Sequence, residues 1–187
     1  MKDGVFIQEM LQKGNGLKEK VIANFNDLSL AQLNWKLEEE SWSIGQCLDH
    51  LIISDCLYFP VLKKCITGKY EMSFWENWSP FSGLFGKILV NQVQGKKVKK
   101  IKTPKIFMPS DRKIDAGILE RFHKHLDTLL EYIAGSSSID IDKLHITSPV
   151  AKVITYSLRK AIMILIQHEH RHVNQAIRVK LSKYFPV

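Results

Sequence analysis

The sequence predicts an all-α protein, a four-helix bundle with a long crossover between helices 2 and 3. Four long segments repeat apolar residues every three or four positions, the period of one helix face. No two alternating runs stand in hairpin relation, so no strand pair is expected. Between the second and third helical segments lies an excursion at about 69–110, long enough to return the chain to the end of the bundle it left.

The first helix carries Ile7, Met10, Leu11, Leu17, Val21 and Phe25 at helical intervals, with Gly14 and Gly16 weakening its middle. Ser29 to Gln32 fits a capping box that opens a short helix. The second long helix is expected from about Ser43 to Ile66, on Ile44, Leu48, Leu51, Ile52, Leu57 and Leu62, with Gly68 near its end. The excursion holds Trp75, Trp78, Phe81, Phe85 and Phe107, too aromatic for a disordered segment, and these rings are expected to cap the core or wall a pocket. Phe81 to Val93 within it suggests a short helix. The third helix is placed from a Ser110-Asp111 cap to Gly135, on Ile118, Leu119, Phe122, Leu126, Leu129 and Ile133. The fourth runs from about Tyr156 to Lys183 through Leu158, Ile162, Leu165, Ala176 and Val179. Because the excursion lets helices 2 and 3 run parallel, the expected order is up-down-down-up in one domain, 1–187.

Composition is that of a globular protein, 45% apolar and 25% charged. Much of the net charge of +8 sits in Lys96 to Lys105, six lysines in ten residues with no arginine and no aromatic side chain. That pattern reads as a solvated loop, and nucleic acid is disfavoured as a partner. Cys47, Cys56 and Cys65 recur nine residues apart on one expected helix, about 13 Å between neighbours and too far to bridge. Reduced thiols, no export-type N-terminus and no apolar run longer than Ala161 to Ile166 point to a cytoplasmic protein without a membrane anchor.

The chemistry concentrates in "QHEHRHVNQ", Gln167 to Gln175. His168 and His172 stand at i and i+4, so both imidazoles leave one helix face, the spacing a metal ion needs. His170 lies about 200° from His168 and points elsewhere. The stretch matches the zinc-peptidase pattern H-E-x-x-H, but both usual completions are missing. Gln175 and Arg178 stand where glycine and histidine belong, and no acidic residue follows Glu169. A third ligand must come from upstream, from His50, His123, His125, His145 or Cys47. His50 is favoured, because it sits mid-helix among apolar residues where an unpaired imidazole is costly, and bundles build metal sites across facing helices. Gln175 is either a donor beside the site or a plain bundle hydrogen bond. Glu169, about 100° from His168, is assigned to a salt bridge at the surface or next to the site. Cys47 is read as a small buried apolar residue.

"LNWKLEEESWSIGQCLDHL", "IKTPKIFMPS" and "HEHRHVNQ" together resemble the DinB-like superfamily, over nearly the whole chain. The resemblance implies a four-helix bundle with parallel second and third helices, and it places His50, His168 and His172 at the metal-ligand positions. It further implies a divalent metal ion, nickel or zinc, a homodimer, and a small-molecule substrate. Two activities occur in such proteins, metal-dependent hydrolysis and S-transfer with a low-molecular-weight thiol. Three neutral nitrogens would leave positions open on the ion, and both chemistries fit that arrangement. The alternative is a non-catalytic bundle that binds metal or uses its histidines for structure.

Overall fold

The computed structural model describes residues 2–78, 107–109, 113–149 and 153–186. Its helices are α1 (Lys2–Phe25), α2 (Leu30–Asn34), α3 (Ile44–Cys56), α4 (Phe59–Ile66), α5 (Phe74–Trp78), α6 (Ile118–Gly135) and α7 (Leu158–Lys180). The fold is all-α apart from a short ribbon, β1 (His145–Thr147) against β2 (Thr155–Ser157). The capping box predicted at Ser29 is present, and a second one opens α3: Ser29 and Ser43 each accept the amide of the residue three positions on, and Gln32 and Gln46 reach back to the cap amides. The one at Ser43 fixes where α3 begins and so the register of His50.

α1 and α3 each pack against both α6 and α7. Arg159 pairs with Asp3, Lys20 with Asn174 and Lys180 with the Asn24 carbonyl, so α1 and α7 run parallel. Ile114 lies over Gly45 and Ile66 over Gly135, with Asp55 beside His125 between them, so α3 and α6 also run parallel. Leu130 covers Gly14 while Lys18 reaches Asp127, which sets α6 against α1. The order is up-down-down-up. Phe25, Leu48, Leu51, Phe122, Leu126, Leu129 and Ile162 fill the centre without exposure. Gly14 is required by packing: a Cβ there would meet Leu130 Cδ2 at 2.3 Å.

Several boundaries differ from the sequence expectation. The second helix breaks at Leu57–Tyr58, because Pro60 in the first turn of α4 has no amide to donate and its ring conflicts with the carbonyl four residues back. α4 ends in a left-handed Gly68 at φ 67°, whose amide bonds to Cys65 while that of Lys69 bonds to Lys64. α6 starts at Ile118, later than the Ser110-Asp111 cap, which lies outside the described residues. The Asn34 side chain holds the Ile114 backbone through two 2.8 Å bonds and keeps that segment extended before the helix. The ribbon was not expected, since three-residue strands are too short to show alternation, and it takes Tyr156 out of the fourth helix. Trp75 and Trp78 do not cap the core; they are 42% and 74% exposed, and among the described rings of the excursion Phe107 is buried. The expected helix at Phe81–Val93 and the lysine run at Lys96–Lys105 lie outside the described residues. No helix among the described residues is long and apolar enough to cross a membrane.

Candidate metal centre

The two faces that α3 and α7 turn toward each other bring His50, His168 and His172 together, with one nitrogen of each within 4.8 Å of the others. His50 Nε2 lies 3.1 Å from His168 Nε2. The ring centroids of His168 and His172 are 4.7 Å apart, and those of His50 and His172 4.5 Å. His50 Nδ1 donates to the Phe107 carbonyl at 2.5 Å, which fixes the tautomer: Nε2 carries the lone pair and faces the cluster. Two ligands on one ion, with bonds of about 2.0–2.1 Å, lie about 3.0–3.4 Å from each other, so the observed separation suits a shared ion. His172 Nδ1 is buried without a hydrogen-bond partner among the described residues. These residues could therefore hold a metal ion, and the donor set of three imidazoles suits zinc, nickel, copper or iron.

Burial keeps His50 and His172 neutral. Burial lowers His50 to about 4, with the neighbouring His168 adding to the effect and the Phe107 carbonyl opposing it. Burial lowers His172 to about 2, assisted by His168, His50 and Arg171, while Gln175 acts weakly the other way. Neutral imidazoles are the form that binds metal. Trp42 forms one wall, its ring centroid 4.7 Å from His50 and 5.7 Å from His172. His50 is 3% exposed, whereas the His168 side chain keeps 20%, so the site opens on the His168 side.

Behind His168 lies a second polar cluster that sequence reasoning did not assemble. Asp55 Oδ1 is 3.7 Å from His168 Nδ1, and Asp55 Oδ2 is 3.6 Å from His125 Nε2, which in turn lies 3.0 Å from Glu169 Oε1. Glu169, expected at the surface or beside the site, is 0% exposed and sits in the interior. Burial raises the Glu169 carboxyl well above the usual range and the nearby Asp55 charge adds to it. Burial opposes the Asp55 charge too, but His125 and His168 outweigh it and hold that carboxyl low. Burial likewise opposes a charge on His125, and Asp55, Cys56 and Glu169 overcome it and raise the imidazole.

The other upstream candidates stay away from the triad. His145 lies in β1, with its Nδ1 against the Lys143 carbonyl. Burial lowers both His123 and His170, with lysines of α1 adding to the effect, and neither belongs to the triad. Cys47 is fully buried, and burial pushes its thiol up to about 12, which keeps it an uncharged core residue. All three cysteines are free. The Phe107 carbonyl could not be found from sequence, because it is a backbone group of the crossover.

An up-down-down-up helical bundle that converges three histidines from facing helices belongs to the class of bundles able to hold a metal ion between helices. The model of the DinB superfamily matches residues 18–176, and the chain belongs to that superfamily. No curated protein and no solved structure matches the chain.

Proposed function

We propose that this protein is a metal-dependent enzyme of the DinB superfamily, in which His50, His168 and His172 hold one divalent ion, nickel or zinc. It acts on a small molecule as a hydrolase or as an S-transferase using a low-molecular-weight thiol. The observation that carries this reading is the His50–His168 contact, 3.1 Å between two Nε2 atoms with the His50 tautomer set by Phe107. The ion would supply a positive charge that makes a water or a thiol acidic enough to react near neutral pH. The chain's own part is to hold the His50 and His172 rings neutral, to exclude water on the Trp42 side, and to leave the His168 side open for the substrate. Gln175, about one turn beyond His172, brings its amide to the His172 ring. The free cysteines support a reducing, cytoplasmic setting, and a homodimer of single-domain chains completes the reading.

Elemental analysis of the purified protein tests the ion: about one equivalent in the wild type, lost in His168→Ala. A hydrolase and transferase substrate screen, run with and without low-molecular-weight thiols, then separates the two activities. Turnover only with thiol selects transfer, turnover without it selects hydrolysis, and bound metal with no turnover in either arm leaves the non-catalytic bundle.

A further inference from the structure

Two buried carboxylates in this fold are treated very differently from a third. Glu76 is 5% exposed and accepts from Tyr70 Oη, the Ser73 amide and hydroxyl, and Thr147 Oγ1, at 2.5–2.9 Å. Asp55 and Glu169 are 1% and 0% exposed, yet Asp55 Oδ2 and Glu169 Oε2 have no hydrogen-bond partner among the described residues. Asp55 Oδ1 takes one long bond from Ser54 Oγ at 3.4 Å, and Glu169 Oε1 faces His125 Nε2. Leaving such oxygens unpaired in the interior is costly, and a bound cation is one way to satisfy them.

We propose that Asp55, His125 and Glu169 form a second cation site, interior to the histidine triad, that takes one divalent ion of the manganese or ferrous type. One donor atom from each of the three lies within 4.8 Å of the others. The His125 Nε2 distance of 3.0 Å to Glu169 falls in the range of about 3.0–3.4 Å between ligands on one ion, and the 3.6 Å to Asp55 lies just beyond it, a gap that a small side-chain rotation closes. An ion binding here displaces the protons that His125 and Glu169 hold in the metal-free protein, and the two carboxylates and neutral imidazole then carry a charge of about −2, which a divalent ion cancels without a counter-ion from solvent. Two oxygens and one nitrogen favour a harder ion than three imidazoles do. Asp55 then spans the two sites, one oxygen toward the interior ion and the other toward His168.

The site is closed, so the test loads protein by refolding the full chain from denaturant with excess Zn²⁺ and Mn²⁺, removes free ions and counts metal per chain. Two ions are expected in the wild type, one in Glu169→Gln and one in His172→Ala. A single ion that His172→Ala loses and Glu169→Gln keeps overturns the interior site and leaves the proposed function standing. A single ion with the opposite pattern keeps the interior site and removes the triad reading, and no ion removes both. Should Glu169→Gln not refold, pulsed EPR of Mn²⁺ bound to the wild type decides. Coupling to one ¹⁴N supports the interior site, and coupling to three nitrogens, or no bound Mn²⁺, overturns it.

Discussion

His125 Nε2 lies 3.0 Å from Glu169 Oε1, and neither side chain keeps more than 3% of its surface. A buried histidine–carboxyl cluster is weak evidence for stability as a unit, but removing one member strands the others. His125→Leu leaves Asp55 and Glu169 facing each other without the imidazole. The expected cost is about 3–5 kcal/mol, read as a lower urea midpoint in metal-free protein at pH 7. A loss below about 1 kcal/mol would mean that the pair is open to water.

Acid should destabilise the metal-free protein through the triad. His50 protonates at about 4 in the fold against 6.5 ordinarily, and His172 at about 2. Because both are lowered, the unfolded chain takes up protons first. Their contribution is complete above 6.5 and is lost as pH falls toward 4, with His172 continuing below. At about 1.4 kcal/mol per pKa unit, His50 alone accounts for about 2–3 kcal/mol between pH 7 and pH 4.5. Urea titrations with chelator present check this, and the stability gap between wild type and His50→Gln should narrow over that range. A constant gap contradicts the assignment of His50 as buried and neutral.

The two mid-helix glycines of α1 should behave in opposite ways. At Gly16 a Cβ meets nothing within 4 Å, so Gly16→Ala gains helix propensity of about 1 kcal/mol without a packing cost. At Gly14 the same change drives a methyl into Leu130 and toward Ile166, with an overpacking cost of about 1–3 kcal/mol that cancels or exceeds the gain. Thermal melts of the two variants on either side of wild type are the expected result.

These contacts also explain which parts of the fold were legible in the sequence. Helical spacing was enough to put His168 and His172 on one face, and the length of the crossover was enough to predict parallel second and third helices. For Glu169 the salt bridge next to the site is present, to His125, and only the surface alternative fails, because a helical wheel centred on His168 assumes one inward face, whereas α7 packs against both α1 and α3 and buries Ile164, Ile166, Glu169 and Val173 as well as Leu165. Asp55 and His125 could not be paired for a related reason: each meets its partners across helices, and nothing in its own helix marks them. His50 escaped that limit because burial alone made an unpaired imidazole there suspect.

Trp42 offers a direct readout of the triad. Its ring is 4.7 Å from His50 and 5.7 Å from His172 by centroids, close enough for a paramagnetic ion bound between the histidines to quench it. Trp35 packs instead on Phe185, with centroids 5.5 Å apart, and Trp75 reaches the Val153 carbonyl in the ribbon connection. Titrating Ni²⁺ into metal-free protein should therefore quench a saturable part of the tryptophan emission at about one equivalent. Trp42→Phe should remove that part while elemental analysis still finds the ion bound. Quenching that survives in Trp42→Phe would place the ion elsewhere, and quenching that survives in His172→Ala would remove His172 from the ligand set.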